Sequence, residues 1–172
     1  STIYAQTTID KINGSWELLV DGKHYEIKGV TIGYDSDIDN YDARFKDLKF
    51  LGVNTIRTWA TGSNTSKLLD AANENGMKVM VGIWMRHGRP GMEDDDSFNY
   101  LENTKGKDDM YLNALNVVET YKNHPAVLTW GVGNEVYLNT ATDEEKIASG
   151  EKVRLLTPDG KMVEVDASNI NK

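Results

Sequence analysis

The run Ala126-Val127-Leu128-Thr129-Trp130-Gly131-Val132-Gly133-Asn134-Glu135 passes from an apolar stretch straight into an adjacent amide and carboxylate. A buried strand that ends this way lifts two polar side chains out of the core at one defined edge. A carboxyl group held there can donate a proton once burial or a second carboxylate raises its pKa toward neutrality. The amide beside it can orient a hydroxyl-rich ligand such as a sugar. A second polar group, Arg57, stands inside the β-branched run Val53-Asn54-Thr55-Ile56-Arg57-Thr58-Trp59. An arginine in a strand also pairs commonly with a buried acid, so both readings stand for it.

Three tryptophans, Trp59, Trp84 and Trp130, close apolar strands. Indole faces stack on the C–H surfaces of sugar rings, and they also fill cores. Trp84 is the one expected to face a ligand. His87, just beyond its strand, is either a sugar contact or an ordinary loop histidine.

These residues need a scaffold, and the chain repeats one. Residues 15–28 predict a β-hairpin with its turn at Asp21-Gly22, and a short strand follows from Gly29 to Tyr34. Tyr41, Phe45, Leu48 and Leu51 recur at helical spacing before Gly52, and a strand over Val53 to Trp59 comes next. Asn64 to Asn75 predicts a helix stopped by Gly76, and Met77 to Trp84 a nearly all-apolar strand. A polar loop leads to a helix over Asp108 to Lys122, with Tyr111, Leu115 and Val118 along one stripe and Met110, Ala114, Val117 and Tyr121 beside it. His124-Pro125 ends it, and Ala126 to Gly133 is the next strand. Thr142-Asp143-Glu144-Glu145 has the signature of a helix N-terminus. The last segment changes character: Lys152–Leu156 and Lys161–Val165 flank Thr157-Pro158-Asp159-Gly160, a hairpin signal.

Strands alternating with helices predict a parallel α/β architecture, either an open wound sheet or a (β/α)8 barrel. No Gly-x-Gly-x-x-Gly follows the first strand and no phosphate-cradling loop is present, which disfavours dinucleotide or nucleotide chemistry. The 172 residues carry 39% hydrophobic and 27% charged side chains, as in a globular domain with a core. The net charge of −8 argues against a nucleic-acid partner. The absence of cysteine excludes disulfides and thiolate metal sites. No apolar run approaches the roughly 20 residues of a membrane span.

Asp35-Ser36-Asp37-Ile38-Asp39 begins like a calcium loop but places Asn40 and Lys46 where glycine and glutamate are required, so a solvated acidic loop is expected. Glu93-Asp94-Asp95-Asp96 is read likewise. No metal or other cofactor is expected.

The chain resembles the clan A glycoside hydrolases, in particular proteins with a family 2-type TIM-barrel domain. The likeness rests on Trp16–Lys23, Gly29-Val30, Leu51–Trp59, Leu68–Ala72, Gly76–Gly82 and Tyr121–Glu135, in order, over about residues 15–148. It implies an α/β fold: a partial (β/α)8 barrel of about four βα units, with an N-terminal β-hairpin and a C-terminal β-hairpin. It implies a carbohydrate partner and retaining acid/base hydrolysis of β-linked glycans. Glu135 matches the general acid/base, Asn134 the amide that bonds the sugar 2-hydroxyl, and Arg57 the arginine that supports the nucleophile. His87, Trp84, Trp59 and Trp130 are the candidate substrate contacts.

Retaining hydrolysis needs two carboxylates about 5–5.5 Å apart, and such a barrel takes about 250 residues. The resemblance puts the nucleophile on a seventh strand, and no segment here matches it. Glu144, Glu145, Glu151 and Glu164 all lie in the presumed helix start or around the hairpin. Residues 1–148 are therefore expected to form half of the barrel domain and 149–172 an extension. Such a protein is a truncated or inactive hydrolase, one completed by self-association, or a non-catalytic carbohydrate-binding or assembly protein. Open sheet edges favour self-association. A secreted or periplasmic location is expected.

Overall fold

The computed structural model describes residues 7–87, 98, 100, 103–134, 136, 152–156 and 162–166, the last two stretches by their backbone. The expected helix start at Thr142 and the acidic run 93–96 lie outside the described residues. The chain forms two compact units, one of Ser1–Met85 with Asn103–Asn134, the other of Arg86–Glu102 with Glu135–Lys172.

The first unit opens with an antiparallel sheet of three strands in the order β1 (Thr7–Ile12), β2 (Ser15–Val20), β3 (Lys23–His24). The sequence predicts β2 and β3 but not β1. Two-residue turns join the strands. Asn13 and Gly14 have φ of 51° and 89°, Asp21 and Gly22 of 52° and 73°. Positive φ at both central residues suits the twist of paired strands and selects Asn-Gly and Asp-Gly. On β2, Trp16 is 71% exposed, while Leu19 and Val20 are buried.

A parallel sheet follows, in the order β4 (Gly29–Gly33), β5 (Thr55–Thr58), β6 (Lys78–Ile83), β7 (Val127–Val132). Helices α1 (Tyr41–Phe50), α2 (Thr65–Glu74) and α3 (Thr104–Tyr121) connect successive strands. This is the predicted α/β pattern, four βα-type strands of a partial barrel. Among the described residues the sheet does not close. Phe45, Leu68, Leu69, Ala72 and Val117 from the helices bury against Ile56, Val79, Val81, Ile83 and Val127 from the strands. That layer of apolar side chains holds the helices on one face of the sheet.

Each helix has its own start signal. Asn40 accepts a hydrogen bond from Ala43 N at 3.1 Å ahead of α1. Asn103 accepts one from Gly106 N at 2.9 Å ahead of α3. That cap starts α3 at Thr104 rather than Asp108, because Thr104 to Lys107 are polar or small and invisible to an apolar repeat. The face of α3 also differs from expectation: Tyr111 and Leu115 are exposed, and Ala114, Val117, Val118 and Tyr121 face the core. The cap of α2 comes from far along the chain. Asp35 Oδ2 accepts from Asn64 N at 2.8 Å and Thr65 Oγ1 at 3.0 Å. The acidic loop is thus partly structural: Asp35–Asp37 forms a 3-10 turn with Asp35 buried. Among the described residues no group of three or more acids and histidines could hold a metal ion.

In the second unit, Phe98 N donates to the His87 carbonyl at 3.0 Å. The Arg86 guanidinium lies 5.0 Å from the centre of the Phe98 ring, and Tyr100 packs edge-on to Phe98 at 4.6 Å. The predicted C-terminal hairpin is present as β8 (Lys152–Leu156) and β9 (Met162–Asp166), antiparallel, with Leu156 opposite Met162. Among the described residues no helix is long and apolar enough to cross a membrane.

Candidate active site

Four candidate residues of the first unit, Arg57, Trp59, Trp84 and Asn134, lie near or just past the C-terminal ends of the parallel strands. Arg57 is the third residue of β5, in register with Thr31 of β4 and Met80 of β6. Its Nη2 donates to Asn134 Oδ1 at 2.9 Å. β6 lies between β5 and β7, so the arginine reaches across an intervening strand to the residue just past β7. Gly133 fixes that residue: its N–H donates to the Ile83 carbonyl at 2.8 Å and its φ is 76°. The backbone bond carries the β6–β7 pairing to the rim, and the positive φ, which favours glycine, turns the chain there.

Gly82 N donates to Thr58 Oγ1 at 3.0 Å. A Cβ on Gly82 would overlap the Thr58 carbonyl oxygen and the Trp59 carbonyl group. Glycine at 82 is therefore the condition for β5 and its following residue to lie this close to β6. Next to Arg57 lies a cavity of about 210 Å³, with Thr31, Thr55, Met80, Leu128 and Thr129 in its wall.

The rim beside this pair is aromatic. Trp59 N donates to the Gly33 carbonyl at 2.7 Å, which ties the residue after β5 to the end of β4. Gly33 has φ of 75°, and a Cβ there would run into the Asp37 carboxylate. The same carboxylate accepts from Tyr34 N at 2.8 Å. The Tyr34 ring meets Trp59 edge-on, 5.7 Å between centres at 84°. It meets Trp84 at 6.4 Å and 49°. Tyr34, Trp59 and Trp84 follow β4, β5 and β6 directly, so all three crown one end of the sheet.

The structure brings together Arg57 with Asn134, and Trp59 with Trp84 through Tyr34. It puts Trp130 elsewhere: it pairs in register with buried Val81 and packs against the hydrophobic core. Its indole is partly buried there. His87 belongs to the second unit and is 1% exposed. Glu135 lies outside the described residues. Tyr34 escaped notice in the sequence because the acidic residues after it suggested only a solvated loop. The signal that could have found it is Gly33-Tyr34, a glycine-aromatic pair at a strand end.

The comparisons follow the same outline. The description "Glycosyl hydrolases family 2, TIM barrel domain" matches residues 16–165. The chain belongs to this family. Among solved structures, a β-glycosidase from Bacteroides vulgatus superimposes with a TM-score of 0.59 at 22% identity, over 85% of this chain and 19% of that one. A β-D-glucuronidase from Dictyoglomus thermophilum gives a TM-score of 0.57 at 20% identity, over 82% of this chain and 24% of that one. At that identity they establish the fold. The family 2 chain spans 19% and 24% of these two neighbours' length. No curated protein matches it. The partial barrel expected from the sequence and the family assignment therefore agree, and a glycoside hydrolase-like character follows from both.

Proposed function

We propose that this chain forms the acid/base half of a retaining glycosidase active site for β-linked glycans. The observation that carries the reading is the Arg57–Asn134 hydrogen bond at the C-terminal rim of the parallel sheet, the end where barrels of this kind gather their catalytic groups. Glu135 follows Asn134 in the sequence and takes the role of general acid. It gives its proton to the glycosidic oxygen as the bond from that oxygen to the anomeric carbon breaks. A carboxylate attacks that carbon from the opposite face. Glu135, now ionised, then takes a proton from the water that releases the sugar. Asn134, whose Oδ1 accepts from Arg57, takes the role of the amide that orients a sugar hydroxyl. Arg57 spends one donor on a neutral amide, and among the described residues it has no ion-pair partner. Its charge is available to steady the attacking carboxylate.

No segment of the 172 residues matches the strand that carries that nucleophile in the family. The proposal therefore assigns the attacking group to polypeptide other than this sequence. In the described residues the parallel sheet ends at β4 and β7, and unpaired edges of that kind favour association with a second copy or a complementary half. The second reading, an assembly or carbohydrate-binding protein without catalysis, draws on the same edges and on the β8–β9 hairpin. Hydrolysis of a panel of aryl β-glycosides, compared between the protein and Glu135→Gln, separates the two. Rates above Glu135→Gln support the glycosidase reading; equal background rates for both, with sugar binding retained, support the second.

A further inference from the structure

β7 does not run straight beside β6. Val79 pairs with Val127, and the next residue of β6, Met80, pairs with Thr129. β7 therefore carries one extra residue, Leu128, opposite a single step of β6. Such a bulge exchanges the faces of the residues that follow it and draws them back by about 3.3 Å along the strand. The rows across the sheet follow from it. Thr31, Arg57, Met80 and Thr129 form one row, and Trp130 falls opposite Val81. The pairing then runs unbroken to Ile83 and Val132, and Gly133 N closes it on the Ile83 carbonyl. In a β7 without the extra residue, Leu128 would take the place of Thr129 beside Met80. Asn134 would then stand one residue further past the rim than it does.

One residue sets the phase of β7 at its start. His124 follows α3, with its N–H on the Tyr121 carbonyl at 2.9 Å. Its ring Nδ1 accepts from Ala126 N at 3.2 Å, and its carbonyl accepts from Val127 N at 3.0 Å. A backbone N–H can only donate, so Nδ1 carries no proton and Nε2 carries one. Nε2–H then donates to Asp70 Oδ1 of α2 at 3.1 Å. On the β6 side, Lys78 Nζ donates to the Pro125 carbonyl at 2.7 Å and Val79 N to the Ala126 carbonyl at 2.7 Å. The backbone from His124 to the Val127 N–H is thus bonded group by group. Ala126 is fully buried, so without the imidazole its N–H has no solvent to turn to.

We propose that His124, held by Asp70 as its Nε2–H tautomer, is a positioning residue for the rim. It anchors the first two amides of β7 and so fixes the strand directly before the bulge. The bulge in turn sets the height at which Asn134 meets Arg57. His124 acts on that pair along β7, from the opposite end of the strand. The use of the pair in catalysis rests on the glycosidase reading.

The test uses the purified chain, with the side-chain NH2 resonances of Asn134 as the reporter. In the parent, Arg57→Met shifts these resonances. His124→Gln keeps a donor within reach of Asp70 but puts no acceptor where Nδ1 lies, whereas His124→Asn puts Oδ1 there. In His124→Gln the Asn134 resonances should leave their parent positions, and their response to Arg57→Met should be lost. In His124→Asn both should return. A His124→Gln protein that is less stable but keeps the Arg57 response has lost only packing, and that result overturns the inference. Failure of His124→Asn to restore the response overturns it too. One arm needs no variant and decides the matter even if neither folds. Nitrogen NMR spectra of the parent ring at about pH 8, above the ordinary histidine range, should show the proton on Nε2, and a proton on Nδ1 overturns the inference. No sugar enters these measurements, so their failure leaves the glycosidase reading standing. Equal hydrolysis by the parent and Glu135→Gln would remove that reading and leave the role of His124 in place.

Discussion

Arg57 and Asn134 stand 77 positions apart and meet through one 2.9 Å hydrogen bond that spans the width of β6. The bond joins the second and fourth strands of the parallel sheet at the rim. A polar bond in this place couples the order of the rim to the order of the sheet. Arg57→Met and Asn134→Ala, alone and together, measure that coupling in urea unfolding. The double variant should be more stable than the sum of the singles predicts, by about 0.5–1.5 kcal/mol. Strict additivity would show that the bond does not persist in solution.

Gly82 has no room for a methyl group, because the Thr58 and Trp59 carbonyls occupy the space. Backbone rather than a movable side chain blocks the site. Gly82→Ala should therefore destabilise the domain by about 2–3 kcal/mol. It should also shift the Trp59 indole resonance, because the residue after β5 must move. An unchanged midpoint and spectrum would mean that β5 and β6 are further apart than described.

Asp35 caps α2 across the fold, accepting from Asn64 N and Thr65 Oγ1. A charged acceptor that is buried and doubly bonded contributes more than an exposed one. Asp35→Ala should cost about 2 kcal/mol. Amide exchange in the first turn of α2 should speed up while the last turn of α1 is unaffected. Loss of protection spread evenly over both helices would argue against a capping role.

Tyr25 fastens the N-terminal sheet to the start of β5. Its hydroxyl donates to the Asn54 carbonyl at 2.9 Å and lies 2.9 Å from Thr55 Oγ1. Burial pushes its pKa above the ordinary 10.0, and the hydrogen bond with Thr55 pulls it partly back. The folded value lies above the unfolded one, so the neutral phenol is the form that the fold favours. Its contribution is present in full below the unfolded pKa and is lost as pH rises through the folded one. Tyr25→Phe should cost about 1 kcal/mol at neutral pH and should flatten the fall in stability above pH 10. An alkaline limb identical in the parent and the variant would remove Tyr25 as its source.

Much of this architecture was legible in the residues, and the exceptions have physical causes. The parallel strands read clearly because Met77 to Trp84 is a nearly unbroken apolar run. Arg57 and Asn134 were legible as candidates through the resemblance, but their contact is set by strand order and reach, which no local pattern carries. β1 was missed because Thr7-Thr8-Ile9-Asp10-Lys11-Ile12 is mostly polar. Its local signal is the Asn13-Gly14 turn that joins it to β2. The inward face of α3 was rotated because Tyr111 and Leu115 are apolar yet exposed, and periodicity cannot tell an apolar solvent face from a core face. Trp130 shows the ambiguity of a tryptophan in a strand: it pairs with Val81 and packs against the core, yet stays partly exposed.

The central claim is that Glu135 can protonate a leaving group although the attacking carboxylate is not part of this sequence. An external nucleophile tests it most directly. Sodium azide is added to the purified chain with phenyl β-glycosides, whose weakly acidic leaving group needs a proton, and the products are identified by NMR. Azide takes the place of the missing carboxylate, bonding to the anomeric carbon from the α face as the bond to the phenolic oxygen breaks and phenol leaves with the proton from Glu135. The account predicts azide-dependent release of phenol with an α-glycosyl azide as product, reduced at least about 100-fold in Glu135→Gln. The same azide-dependent rate in the parent and Glu135→Gln, or no α-glycosyl azide from any sugar of the panel, would contradict it.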